Sequence, residues 1–320
     1  MKNNMYNWDY YFSCNLNNAE SEIRTLEITP GSKKIFIIDG CDFPASKIDL
    51  WKLLKEMYNE NASTIMPTTF ILDDNNDMKE IKTHFDQNTK KRSGHMYILK
   101  NYEQQQKGLK LVNKYEDIMS AYQEGFYLVQ DYLYNPYIIS KRKINLRYYT
   151  LIVCRNNTIE GYIHDNGFVY YTSQDYDENS IDFDKHITTG YIDRKIYETN
   201  PLTLDDFRAH LDKVEPGSAD IWDKNVNKLM KDVITACAKK VCKNEKLKKH
   251  TLFQIFGSDV APTDNLSAFL MEINKGPDLN AKDERDKQVK LTMVDDIIKI
   301  LENTNYSKVS DIPHRYTRVY

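Results

Sequence analysis

The sequence predicts a layered α+β fold, not a doubly wound parallel one, and three observations carry that reading. Short β-branched and aromatic runs interleave with helical periodicities along the chain. Several neighbouring strand runs are separated only by turn residues, which joins them as antiparallel hairpins rather than through crossover helices. Long helical segments near residues 221–241 and 286–301 are apolar on one side and need another layer to cover them.

Taken in order, Lys34 to Asp39 (KIFIID) is a short strand stopped by Gly40, and Leu50 to Tyr58 is a helix. Residues 1–62 are expected to form a small N-terminal lobe. Pro67 to Leu72 and Met96 to Lys100 are strands around a helix near Met78 to Phe85. Asn101 to Gly108 is a polar loop, Leu109 to Val112 the returning strand, and Tyr127 to Tyr132 a further strand, so that residues 63–132 form a central lobe. Asn135-Pro136 breaks that strand at the start of residues 133–320, the larger C-terminal lobe. There, KINLRYYTLIVC from Lys143 is a central strand, and Ile159 to His164 with Gly167 to Thr172 is expected to be a hairpin about residues 165–167. A short helix covers Leu204 to Leu211. The helix Ile221 to Val241 places Trp222, Val226, Leu229, Met230, Val233, Ile234, Cys237 and Val241 on one stripe, which is core packing. Leu252 to Val260 and Ala268 to Asn274 are strands joined by a Pro262 to Asn265 turn, and Asp286 to Leu301 is a closing amphipathic helix.

The 320 residues suffice for two or three packed lobes without metal or disulfide staples. A net charge of −3 offers no basic excess for neutralising phosphates, so a nucleic-acid partner is not expected. Cys14, Cys41, Cys154, Cys237 and Cys242 form no CxxC pair, which predicts neither a disulfide framework nor a zinc site and favours a reducing compartment. The N-terminal stretch lacks a signal-peptide core, and no apolar run approaches the ~20 residues that span a bilayer. A soluble cytoplasmic monomer without membrane contact is the expectation.

Three groups of residues carry chemistry. On the last two strands Glu272 and Asn274 share a face, and the turn brings Asp259 across from them. Two carboxylates and an amide oxygen repel one another unless a cation lies between, and hard oxygen ligands suit Mg2+; pairing with nearby lysines is the alternative. Lys143, Asn145 and Arg147 alternate on one face of the central strand, either as a phosphate or carboxylate cradle or as a solvated strand face. Lys100 ends a strand before a loop closing on Lys107-Gly108, where a lysine and backbone N–H groups can reach phosphates; no GxxxxGK[ST] loop is present.

In this order the segments resemble the catalytic core of the tubulin–tyrosine ligase-like family, over about Pro67 to Leu301. MPTTFIL, YILKNYEQQQKGLKLV, YLVQDYLYNPYIISKRKINLRYYTLIV, HITT, and FQIFGSDV with FLMEINKGPDL each look like a family segment. The resemblance implies an ATP-grasp fold with ATP and Mg2+ as cofactors. By it, Lys100 would bind the α- and β-phosphates under a lid of Gln104 to Gly108, with Gln104, Lys107 and Gly108 touching nucleotide. Gln130, Asp131 and Leu133 would belong to the adenine hinge. Lys143 would contact phosphate, Asn145 and Thr188 would lie near the ribose or acceptor, and Arg147 would steady the γ-phosphate and the acyl phosphate made from it. Asp259, Glu272 and Asn274 would hold Mg2+. The chain departs from the family pattern at Asn145, where the family has aspartate, at Thr189, where it has asparagine, and in the glycine-poor loop.

The implied activity is carboxylate–amine ligation, adding tyrosine, glutamate or glycine to a protein such as tubulin or another with an acidic tail. Ligation of small peptides or metabolites and a silent nucleotide-binding scaffold are the alternatives; Asn145 and Thr189 are the support for the scaffold. His186 has either a structural or an acid–base role.

Overall fold

The computed structural model describes residues 8–13, 22, 25, 26, 28, 31–101, 108–303 and 313–320. Two sheets organise them, one of four strands and one of ten. The smaller is antiparallel in the order β3 (Thr69–Ile71), β6 (Leu128–Asp131), β4 (Tyr97–Lys100) and β5 (Leu109–Val112). Strand alternation gives it two apolar faces. One, with Phe70, Tyr97, Leu99 and Val129, packs against Ile81 of the helix Asn75–Lys91. The opposite face carries Met96, Ile98, Leu111 and Tyr132, against which Tyr176 and Ile187 of the C-terminal segment pack. The helix begins at Asn75 because the Asp74 carboxylate accepts from the N–H groups of Asn76 and Asp77 at 2.8 and 3.2 Å.

The larger sheet is built on two long antiparallel strands, β8 (Arg142–Arg155) and β12 (Thr251–Pro262), paired from Leu252↔Cys154 to Val260↔Leu146. Each takes two different neighbours along its outer edge. On β12, β2 (Lys34–Phe36) pairs in parallel at one end and β13 (Ala268–Asn274) antiparallel at the other. On β8, β9 (Thr158–His164) pairs with Thr150–Arg155, and β10 (Phe168–Thr172) with Ile144–Arg147. β1 (Tyr10–Phe12) extends the sheet beside β2. The strands from residues 1–62 thus join the large sheet, and Ile35, Leu50 and Leu54 share its core.

One strand pairing differs from the sequence reading. The hairpin expected between β9 and β10 is replaced by a hairpin between β8 and β9. Its turn residues Asn156 and Asn157 both have positive φ, 52° and 60°, the left-handed pair that a tight two-residue hairpin requires. β10 instead adds to the opposite half of β8.

Helices cover the sheet where their apolar stripes dictate. In the helix Ser218–Cys237, Trp222, Val226, Leu229, Met230, Val233, Ile234 and Cys237 are buried, and the Trp222 indole N–H donates to the Tyr148 hydroxyl at 2.8 Å. Gly161 on β9 lets this helix approach: a Cβ there would stand 2.5 Å from Ile234 Cγ2. The final helix, Glu284–Glu302, starts at Asp283, whose carboxylate accepts from the Asp286 N–H at 2.8 Å.

A second correction concerns cysteine. Cys154 at the end of β8 and Cys242 beyond the Ser218–Cys237 helix are joined in a disulfide, with Cα atoms 6.3 Å apart and a sequence separation of 88. Such long-range pairing leaves no local spacing signal, and the inference of a reducing compartment from absent disulfides no longer holds.

The β8–β9 hairpin is tied to the last helix by a buried ion pair. Arg155 donates to Glu160 at 2.8 and 2.9 Å and to the carbonyls of Ile300 and Asn303 at 3.1 and 2.8 Å. Both side chains are buried. Glu160→Ala removes the carboxylate that pairs with this buried guanidinium, and is expected to cost about 3–5 kcal/mol; urea unfolding of both proteins checks this through the shift in midpoint at constant slope.

Candidate active site

Antiparallel register assembles the centre of the site. Phe168, Arg147, Asp259 and Glu272 lie directly opposite one another across β10, β8, β12 and β13. Residues opposite in adjacent strands point to the same face with Cβ atoms about 4.5–5.5 Å apart. The row therefore places a guanidinium beside a carboxylate and that carboxylate beside another. Arg147 grips Asp259 through two nitrogens, Nη2 donating to Oδ2 at 3.0 Å. Asn274, two residues along from Glu272, donates its amide N–H to Oε1 at 3.0 Å. Gly257 makes room for the guanidinium, since a Cβ there would lie 3.1 Å from Arg147 Nη1. The expected convergence of Asp259, Glu272 and Asn274 is present.

The two carboxylates are driven apart electrically. Burial raises the pKa of Asp259, Arg147 opposes that rise, and the neighbouring Glu272 adds to it. Burial acts in the same direction on Glu272, but Lys47, the Asn274 amide, Lys100 and Arg147 outweigh it and hold this carboxyl below its usual range. Lys47 Nζ lies 3.8 Å from Glu272 Oε2. Sequence reasoning missed this lysine, which comes from the start of a helix 225 residues away in sequence.

Two buried lysines face this row from the junction of the sheets. Lys100, at the end of β4, reaches across to the carbonyl of Met271 on β13 at 3.5 Å. Burial lowers its pKa to about 8 despite Glu272. Lys143 on β8 donates to the Tyr132 hydroxyl at 3.2 Å and lies over that ring at 4.4 Å. Burial, with Lys100 adding repulsion, lowers it to about 7. Tyr132 is a further residue that the sequence analysis did not single out. Its hydroxyl is 2.8 Å from His186 Nδ1, and His186 Nε2 is 2.7 Å from the Ser180 carbonyl. A carbonyl only accepts, so His186 carries its proton on Nε2 and the Tyr132 hydroxyl donates to Nδ1. The tyrosine oxygen is thereby left to accept from Lys143. This fixes a structural, orienting position for His186.

The remaining candidates divide. Asn145 shares the face of Lys143 and Arg147, and its buried Oδ1 has no hydrogen-bond partner among the described residues. Gln130 pairs with Ile98 on the inner face of the small sheet. Its amide N–H donates to Thr69 at 2.9 Å, and its buried Oε1 is likewise without a partner among the described residues. Asp131 is next in the strand and so points the other way: its carboxylate accepts from His84 Nε2 at 2.8 Å, on the outer face with Tyr97. Its side chain does not join Lys100. Leu133 is half-buried just beyond that strand. Thr188, in β11 (Thr188–Thr189), lies in the same sheet as Lys143 but pairs with Thr172 of β10, not with β8. Gly108 is buried against Asn101, whose N–H donates to its carbonyl at 2.9 Å, leaving no space for a Cβ. Gln104 and Lys107 lie outside the described residues.

These groups fit a nucleotide and a hard cation. Adjacent carboxylates of which one is pushed up and one held down are relieved by a shared divalent ion, and their oxygens with the Asn274 amide are the donor types such an ion takes. The unpartnered Gln130 and Asn145 oxygens would accept from ligand hydroxyl or amino groups. Two lysines and an arginine supply the positive charge that polyphosphate requires.

The lowered Lys143 predicts a proton linkage. At pH 8 the free lysine, with its pKa lowered to about 7, is mostly neutral, and an arriving phosphate would favour its charged form, so binding of a polyphosphate here would take up a proton. At pH 6 the lysine is already charged and uptake falls. Calorimetry of ATP binding in buffers of different ionisation enthalpy is expected to show this difference, and Lys143→Gln to diminish it.

Comparison with known proteins places this geometry. A sequence profile described as the Tubulin-tyrosine ligase family matches residues 44–310. The chain is 26% identical over 263 residues to "Probable tubulin polyglutamylase TTLL2" of Homo sapiens, covering 78% of this chain and 43% of that protein. It is 22% identical over 223 residues to "Tubulin glycylase 3B" of Drosophila melanogaster, covering 65% and 29%. With "Probable tubulin polyglutamylase TTLL9" of Rattus norvegicus identity is 26% over 183 residues, covering 55% and 38%. The chain thus spans less than half the length of these relatives. The profile covers both the small sheet with Lys100 and the strands that align Arg147, Asp259 and Glu272, and the chain belongs to the tubulin–tyrosine ligase family.

Proposed function

We propose that the protein is an ATP- and Mg2+-dependent ligase that joins an amino acid to a protein through an acyl phosphate. The observation that carries this is the meeting of Arg147, Asp259 and Glu272, aligned in one row, with Lys100 and Lys143 at the junction of the two sheets. Family membership supports the ligase class, and the names of the relatives, tubulin polyglutamylases and a tubulin glycylase, support tubulin or another acidic-tailed protein as the acceptor.

In this reading the acceptor carboxylate attacks the γ-phosphorus, the bond to the β–γ bridging oxygen breaks, and ADP leaves. The amine of the second substrate then attacks the acyl carbon, loses its proton to solvent, and expels phosphate as the amide forms. Lys100 and Lys143 bind phosphate oxygens, and their buried positions make each ion pair stronger than it would be in water. Arg147 is held by Asp259, so its guanidinium is oriented before substrate arrives. Gln130 and Asn145 offer acceptors to the nucleoside. Asp259, Glu272 and Asn274 would hold Mg2+, which when bound supplies neutralisation of phosphate charge.

The test is release of ADP and phosphate from ATP with Mg2+, across a panel of amino acids with tubulin and with a cytoskeletal extract. Turnover that requires one amino acid and a protein acceptor, and that falls at least a hundredfold in Glu272→Gln, is expected; a loss of that size matches removal of about 3 kcal/mol of transition-state stabilisation. Nucleotide binding without turnover in any combination would contradict the ligase reading.

A further inference from the structure

Beside the row, and sharing Arg147 with it, lies a small cavity of about 40 Å3 whose lining also includes Tyr170, Arg194, Tyr197 and Lys282. One water needs about 10–15 Å3 by this measure, so the space suits a group of about three non-hydrogen atoms and excludes a nucleotide base. Charge and unused hydrogen bonds say which group. Arg147 is neutralised by Asp259, and Lys290, also in the lining, by Asp286 at 2.8 Å. Arg194 is fixed through Nη2 on Asp283 and by its guanidinium lying 4.7 Å from the centre of the Tyr197 ring. Its Nε is buried and has no hydrogen-bond partner among the described residues. Lys282 Nζ has a carbonyl partner, Gly190 O at 2.8 Å, and no carboxylate within ion-pair distance among the described residues. Asp278, on the outer side of the cavity, is exposed and accepts from the backbone and side-chain N–H groups of Asn280 at 2.9 Å. The cavity lining therefore carries four cations, Arg147, Arg194, Lys282 and Lys290, against two carboxylates, Asp278 and Asp286, within aromatic walls, and the Lys282 ammonium feels both carboxylates without forming an ion pair with either among the described residues. Exposed Tyr191, over which Lys282 lies at 4.9 Å, and exposed Leu279 adjoin its lining residues.

We propose that this cavity is a carboxylate-recognition subsite in which Arg194 and Lys282 grip the carboxylate of an amino-acid substrate and hold it beside Arg147. The assignment rests on the ligase reading for its substrate class. Both a free amino acid and an acidic side chain of a protein present this chemistry. In either case the gripped carboxylate is a handle, distinct from the carboxylate that is phosphorylated. A two-point grip on a planar anion also selects against the corresponding amide, which leaves the buried N–H and ammonium unmatched.

The experiment is calorimetric titration of the full chain with glycine, L-glutamate, glycinamide and a glutamate-rich peptide, each with and without a non-hydrolysable ATP analogue and Mg2+. Wild type is compared with Arg194→Met, Lys282→Met and the conservative Arg194→Lys. Expected is binding of a carboxylate probe but not of glycinamide, weakened at least tenfold in both methionine variants and partly restored in Arg194→Lys, with analogue affinity unchanged. Binding of the free amino acids assigns the subsite to the free substrate; binding of the peptide alone assigns it to the protein acceptor. Affinities within twofold of wild type in both methionine variants, or no carboxylate probe bound by wild type, overturn the proposal. If the analogue fails to bind wild type while a carboxylate probe binds and depends on Arg194, the subsite stands and the ligase reading falls.

Discussion

The pairing of Arg147 with Asp259 is the contact on which the rest of the site depends. It exists because β8 and β12 run antiparallel in a register that sets these two residues directly opposite each other. A slip of one residue would turn one of them to the other face. The register is secured elsewhere, by the long apolar pairing from Leu252↔Cys154 inward and by the buried Trp222–Tyr148 contact beneath. Removing either charge would leave the other buried and unpaired, so the pair is costly to break even if its net contribution to stability is small. Its value lies in orientation: a guanidinium already aimed requires no reorganisation when charge develops beside it.

The same logic extends across the junction of the sheets. Lys100 and Lys143 come from different sheets; burial lowers the pKa of each, Lys100 lowers that of Lys143 further, and neither has a carboxylate within ion-pair distance among the described residues. A site that keeps two desolvated lysines opposite two carboxylates stores electrostatic tension that an anion and a cation together relieve. The Lys143–Tyr132–His186–Ser180 chain gives Lys143 a fixed position without neutralising it.

Much of this was legible in the sequence where the signal was local. Strand alternation correctly placed Glu272 and Asn274 together, and the short Pro262 to Asn265 turn limited Asp259 to the same neighbourhood. Alternation also held the information that Gln130 and Asp131 cannot both lie on the inner face of the small sheet; Asp131 in fact pairs with His84 on the outer face. The β8–β9 hairpin was announced by Asn156-Asn157, a left-handed turn pair that the stronger glycine signal at Gly167 obscured. What could not be read were contacts set by long-range register or by helix packing. Arg147 with Asp259, Lys47 with Glu272, and Cys154 with Cys242 are separated by 112, 225 and 88 residues, and no spacing rule joins them.

Manganese substitution tests the central claim most directly, because Mn2+ takes the same oxygen ligands as Mg2+ and its electron paramagnetic resonance signal reports binding without requiring turnover. Titration of Mn2+ into the protein with ADP is expected to give bound Mn2+ in the wild type, and at least tenfold weaker binding in Asp259→Asn and in Glu272→Gln. Equal Mn2+ binding in the wild type and both variants would show that the aligned carboxylates do not hold the cation, and would contradict the account of this row as the catalytic centre.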